Sequence, residues 1–132
     1  MTETGIHARR PISPHLQIYK PIPTMVMSIL HRITGAGLYF ATLLVVWWLA
    51  AAAAGPSYFA LANTVLASWF GLLVLFAASW ALVHHMLGGL RHLIWDTGRL
   101  LSKETSTRLA WATIIGSGGL TVLLWLVIAA MR

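Results

Sequence analysis

Three long stretches of this chain carry no charged residue, and the segments between them collect charge, proline and glycine. Residues 33–54, 61–83 and 109–131 are uncharged runs of 22, 23 and 23 residues. As α-helices they would rise about 33–35 Å each, enough to cross a hydrocarbon core of about 30 Å. The pattern predicts an all-α membrane protein with three transmembrane helices, over about 25–54, 61–97 and 106–131. Residues 1–132 then form one membrane-anchor domain. The first helix should stop before Gly55-Pro56, and residues 55–60 should form an uncharged loop. The second should run past the bilayer edge to Thr97-Gly98, with Ser106 placed to cap the third. Residues 1–24 hold four of the five prolines, Pro11, Pro14, Pro21 and Pro23. Proline removes a donor and biases its predecessor away from helix, so this cytoplasmic segment should be irregular. Ile12, Leu16, Ile18 and Tyr19 are too apolar for a free tail, which points to a partner surface or the lipid interface beneath them. The segment has no apolar h-region, so no cleaved signal peptide is expected.

Composition agrees with a bilayer as solvent. Hydrophobic residues make up 58% and charged residues 9%, where a soluble domain carries roughly 25% charge. Mean hydropathy is +0.78. The net charge of +6 could suggest nucleic acid, but its distribution argues otherwise. Arg9, Arg10, Lys20 and Arg32 precede or open the first span, and Arg91, Arg99, Lys103 and Arg108 lie between the second and third. The first loop has no charge, and the C-terminus carries only Arg132. This positive-inside pattern places the N-terminus in the cytoplasm and the C-terminus in the periplasm. A multi-pass protein of a bacterial inner membrane is the expected setting. Cysteine is absent, which excludes disulfides, thiolate metal sites and iron–sulfur ligation by this chain.

Ionisable groups at the edge of a span are costly and mark candidate sites. His85 is the first of these. On a helix, His85, Gly89, His92 and Asp96 share one face, and Gly89 leaves the backbone beside the imidazole open to a flat group such as a haem. A histidine hydrogen-bonded between helices is the alternative, and His84, about 100° around the helix, competes for the same role. The second cluster is Ser28 and Arg32, one turn apart, whose hydroxyl and guanidinium can converge on one acceptor such as a quinone carbonyl. Arg32 could equally snorkel to lipid phosphates. Trp47, Trp48, Trp95 and Trp125 lie near span ends, where indoles anchor at the interface. Gly35-Ala36-Gly37 and Gly116-Ser117-Gly118-Gly119 read as close helix contacts. With only three acidic residues, the chain offers no hydrolytic triad, zinc site or intramembrane carboxylate for a proton-coupled transporter.

Three motifs occur in order along the chain. They are Arg10-Pro11-Ile12-Ser13-Pro14-His15-Leu16, Ser28-Ile29-Leu30-His31-Arg32-Ile33-Thr34-Gly35, and His85-Met86-Leu87-Gly88-Gly89-Leu90-Arg91-His92 followed by Asp96 and Gly98. Together they resemble the b556-type cytochrome b membrane-anchor subunits of succinate dehydrogenase (succinate:quinone oxidoreductase, respiratory complex II). The resemblance implies a three-helix anchor that packs with a second membrane-anchor subunit around haem b. His85 would be one axial ligand of the haem iron and the second anchor would supply the other. Ser28 and Arg32 match the family's ubiquinone-site residues. His31, Arg91 and His92 fall where haem propionates or the quinone site would be supported. An iron–sulfur subunit and a flavoprotein subunit would dock on the cytoplasmic side, with no nucleic acid involved. The chain would do no succinate chemistry itself and have no catalytic residue of its own for that reaction. It would instead pass electrons from the iron–sulfur subunit to quinone. An anchor of a quinol:fumarate reductase, and a structural anchor without haem, are the alternatives.

Overall fold

The computed structural model describes residue 18 and residues 20–131. Most of the proline-rich N-terminal segment, including Arg10 to Leu16, lies outside the described residues. Four helices follow: α1 over Pro23–Ala54, α2 over Pro56–Ala67, α3 over Trp69–Asp96 and α4 over Lys103–Ala130. No strand occurs among the described residues. Three of the helices, α1, α3 and α4, are long and apolar enough to span a membrane. The all-α, three-span architecture expected from the sequence is present.

Pro23 opens α1 at a position where its missing N–H is not needed. The helix runs for 32 residues, about 48 Å at 1.5 Å per residue, and so extends beyond the ~30 Å hydrocarbon layer. Gly55, with φ of 129°, ends it in a conformation open to glycine, and Pro56 begins α2 immediately.

The second span differs from expectation. Residues 55–60 are not a loop, and the helix expected over 61–97 is two helices broken at Ser68. Ser68 is extended (φ −63°, ψ 158°), and its Oγ accepts from the Gly71 N–H at 3.1 Å, capping α3. Gly71 is what permits the turn: a Cβ there would overlap the carbonyl oxygens of Val65 and Leu66. The transmembrane part is therefore Trp69–Asp96. The short α2 lies beside the end of α1, held where Trp48 Nε1 donates to Asn63 Oδ1 at 3.0 Å. At the other end Thr97 and Gly98 (φ 73°) close α3. Here too a boundary moves: Ser102, not Ser106, caps α4, accepting from the Thr105 N–H at 3.3 Å. Glu104 in the first turn complements the helix dipole.

α3 is the middle element, packed against both α1 and α4. The interior is small and polar. Its buried residues include Met27, Ala51, Ala62 and Ala110, with Thr34, His84, Arg91, Thr113, Ser117 and Thr121. The large apolar side chains, among them Phe40, Val46, Leu73, Ile115 and Leu126, point outward. Water would not tolerate this arrangement, but lipid favours it, because helices in a bilayer associate through close contact and hydrogen bonds. The interior hydroxyls are satisfied by returning to their own helix: Thr34 to Leu30 O at 2.8 Å, Thr113 to Leu109 O at 2.8 Å and Thr121 to Ser117 O at 2.7 Å.

Candidate haem and quinone site

His85 projects from α3 towards α1. Its Nδ1 lies 3.1 Å from the His31 carbonyl oxygen and 3.4 Å from Thr34 Oγ1. A carbonyl can only accept, so Nδ1 carries the hydrogen and donates it. The Thr34 hydroxyl hydrogen is engaged by Leu30 O and His31 O, at 2.8 and 3.0 Å, so Thr34 turns a lone pair towards the imidazole. In the neutral imidazole Nε2 is then the nitrogen without a hydrogen, and it has no hydrogen-bond partner among the described residues. A histidine that binds a metal through Nε2 needs this tautomer, fixed from behind by a backbone carbonyl.

The ring is also held by stacking. His31 lies parallel to His85, with centroids 4.0 Å apart and planes 4° from parallel. Two glycines make the room. A Cβ on Gly35 would sit 3.0 Å from His85 Cε1, and one on Gly88 would sit 2.5 Å from His31 Nδ1. One glycine on each helix thus lets two rings and two backbones share a layer. His92 stands tilted beside His31, at 5.2 Å and 55°, and edge-on to Trp95 at 5.3 Å. Arg91 is 3% exposed, and its guanidinium sits 4.9 Å from the centre of the Trp95 ring.

Not every candidate shares this layer. Ser28 and Arg32 lie one turn apart on α1, on either side of His31. Ser28 is half-buried and its hydroxyl makes no hydrogen bond among the described residues, whereas Arg32 is exposed. Asp96 is exposed at the end of α3. A Cβ on Gly89 would meet nothing within 4 Å, so this stretch of α3 is open to whatever lies outside the chain. His84 points the other way. It is 1% exposed and its Nδ1 lies 3.1 Å from Ser117 Oγ on α4.

Beside His85 the α1–α3 groove opens into an apolar cavity of about 470 Å³. Thr34 and Ala81 line it near the imidazole, and Gly37, Ala41, Ala77 and Ala78 carry it along the helices. These small residues share the lining with Ile33, Phe40, Leu44, Val74 and Trp80, which makes an apolar bed between the two helices. An imidazole with an unpartnered Nε2, next to the Thr34 that lines this cavity, fits a haem ligand set.

The sequence singles out His85, Ser28 and Arg32 as candidates, and reads Gly35 only as a helix contact. It does not show the roles of Thr34, Gly88 and Ser117. Gly88 and Gly89 are adjacent and equally bare, and nothing in one sequence says which faces a neighbouring helix.

The fold and site together define a class: a three-span helical membrane subunit with a cluster of histidines between its first and third helices. The chain belongs to the succinate dehydrogenase/fumarate reductase transmembrane subunit family, whose model matches residues 7–130. It is 45% identical over 114 residues to the succinate dehydrogenase cytochrome b556 subunit of Paracoccus denitrificans, covering 86% of this chain and 88% of that one. The subunit of the same name from Rickettsia conorii is 40% identical over 124 residues, 94% of this chain and 97% of its relative. The mitochondrial succinate dehydrogenase cytochrome B subunit of Schizosaccharomyces pombe is 38% identical over 128 residues, covering 86% of this chain and 70% of that one. The chain is accordingly a multi-pass membrane-anchor subunit.

Proposed function

We propose that this chain binds haem b through His85 and ubiquinone through Ser28 and Arg32, and carries electrons from an iron–sulfur subunit to quinone. One observation carries the reading: His85 Nδ1–H is held by the His31 carbonyl, leaving Nε2 without a partner among the described residues, and its neighbour Thr34 lines an apolar groove. When bound, the haem would supply a one-electron redox centre. The chain's own contribution is to fix the imidazole. The His31 carbonyl and Thr34 Oγ1 set its tautomer, the His31 ring sets its plane, and Gly35 sets how closely it approaches α1. The open surface at Gly89 leaves the other side for a second anchor subunit, which would contribute the second axial ligand.

At the quinone end, Ser28 offers a hydroxyl with no partner among the described residues and Arg32 an exposed fork of donors. Both can donate to a carbonyl oxygen that gains negative charge during reduction. Arg91 and His92 support the site from α3. The helix ends that carry these residues also carry the basic excess, so they would face the cytoplasm, where flavoprotein and iron–sulfur subunits would dock. Names of the curated relatives favour succinate oxidation over the reverse reaction.

The test is the reduced-minus-oxidised spectrum of the assembled complex. Native protein should show a low-spin b-type haem. His85→Ala should convert it to another spin or ligand state, while His84→Ala should leave it low-spin. An unchanged spectrum in the His85 variant overturns the assignment.

A further inference from the structure

The last turns of α3 and the turn that follows them form a groove apart from the haem and quinone candidates. Its volume is about 720 Å³, and it is lined by Leu90, Leu93, Ile94, Thr97, Arg99 and Leu100. Leu90, Leu93, Ile94 and Thr97 are spaced i, i+3, i+4 and i+7, so they make one stripe along α3. His85 and His92 lie on a different face, where both meet His31 of α1. All six lining residues are exposed.

Depth and charge say what the groove suits. The 28 residues of α3 rise about 42 Å, which matches a whole bilayer of about 40–45 Å with its headgroups. Its end at Asp96 then falls at the outer edge of a headgroup layer about 5–8 Å deep. Leu90 lies about 9 Å inside that end, at hydrocarbon depth. Arg99 lies beyond the end, at the level of the headgroups. Arg99 is the one charged residue in the lining, and neither Asp96 nor Glu104 borders it. A groove that is apolar at its deep end and cationic at its outer end complements an acyl chain joined to an anionic head. Other occupants fit less well. Residues 1–17 carry Arg9 and Arg10 against Glu3 and would bring positive charge to Arg99. A water-soluble partner would meet the headgroup layer and leave Leu90 beneath it.

Leu100 adds an independent observation. Its φ is 58°, the one positive value at a non-glycine among the described residues. That region sets Cβ against the following carbonyl oxygen and is costly for a bulky side chain. The Ser106 hydroxyl donates to the Leu100 carbonyl at 3.4 Å. Backbone strain of this kind clusters where a chain clamps a ligand, and here it sets an exposed leucine into the groove wall beside Arg99. We propose that this groove holds one anionic phospholipid. The Arg99 guanidinium donates to its phosphate, an acyl chain lies along Leu90, Leu93 and Ile94, and Leu100 supplies the wall. The site involves no residue of the proposed haem and quinone sites and stands apart from them.

Two measurements on the purified, assembled complex test it. In the first, the complex in detergent is titrated with phosphatidylglycerol or with phosphatidylcholine of the same acyl chains, and bound lipid is read by native mass spectrometry. Phosphatidylglycerol should bind more tightly. Arg99→Gln should weaken it on the order of 10-fold, towards the phosphatidylcholine value, because a charged donor to phosphate is lost. Arg108→Gln, in the same basic region but outside the groove, should leave binding unchanged. Leu100→Gly suits the left-handed backbone and keeps the turn, yet should lower binding of both lipids by removing the wall. Equal binding of the two lipids, or equal effects of the Arg99 and Arg108 substitutions, would overturn the proposal, because the basic residues would then attract lipid only diffusely. The second is density of the complex in nanodiscs of phosphatidylglycerol. A headgroup at Arg99 and a chain against Leu90 and Leu93 are expected. A partner subunit or residues 1–17 of this chain in the groove would overturn the assignment.

Discussion

At the residue scale, the site depends on which atom of each side chain is already engaged. His85 offers Nε2 because His31 takes Nδ1–H, and His84 differs from its neighbour because Ser117 turns it towards α4. Ser28 and Arg32 differ in what each can give. A hydrogen bond to a charged group contributes about 1.5–3 kcal/mol, so losing Arg32 should weaken quinone handling on the order of 10- to 100-fold. A neutral hydroxyl contributes about 0.5–1.5 kcal/mol, so Ser28→Ala should cost several-fold at most. Arg32→Leu should therefore depress succinate–quinone turnover more than Ser28→Ala does, while dye reduction upstream of quinone survives in both. Loss of both activities together in assembled complex would mean that Arg32 serves assembly and not quinone. His85 and Arg32 stand out in the sequence as candidates because ionisable groups are conspicuous against apolar spans, and Ser28 enters through its spacing from Arg32. Their partners do not stand out. Thr34, Gly88 and Ser117 read as ordinary span residues, and only the packing of one helix on another shows that each meets an imidazole.

At the element scale, the three spans were legible because the absence of charge over more than twenty residues is a strong signal. The break at Ser68 was not, because Leu61–Val83 is uncharged on both sides of it and contains no proline. The local clue is Ser68 with Gly71 three residues later, a cap followed by a residue that must lack a side chain. The missed Ser102 cap has a similar cause: Ser102 and Ser106 are both polar residues before an apolar run, and periodicity does not choose between them. The turn at Ser68 yields a graded expectation. Ser68→Ala removes a cap, at a cost of about 1 kcal/mol, and should lower the thermal midpoint of the complex only slightly. Gly71→Ala forces a Cβ onto the Val65 and Leu66 carbonyls, and the misfit should cost about 1–3 kcal/mol. Its midpoint or its yield in membranes should fall further than that of the Ser68 variant. Equal behaviour of the two would show that the chain can straighten through this turn and that α2 and α3 are not held apart by Gly71.

At the scale of the whole molecule, the antiparallel course of α1, α3 and α4 gathers charge at one end. Lys20 before α1 and Arg32 in its first part, Arg91 near the end of α3 and Arg99 just beyond it, and Lys103 and Arg108 at the start of α4 all fall on that side. At the opposite end, the segment from Gly55 through α2 to Ser68 carries no charged residue. His31, His85 and His92 lie towards the charged end, so the proposed haem and quinone sites and the basic collar share one end of the helices. This arrangement suits a chain that receives electrons from partners on that side. Positive charge resists translocation, so the collar should stay in the cytoplasm, giving an N-in, C-out orientation. An alkaline phosphatase fused after the last span should be active in a bacterial host, and the same enzyme fused between α3 and α4 should be inactive. A reporter that works only in the cytoplasm should give the reverse at both points. If the C-terminal phosphatase is silent where the cytoplasmic reporter works, the orientation is inverted. The quinone donors would then face away from the compartment in which the iron–sulfur partner folds, and the proposed electron path would fail with the topology.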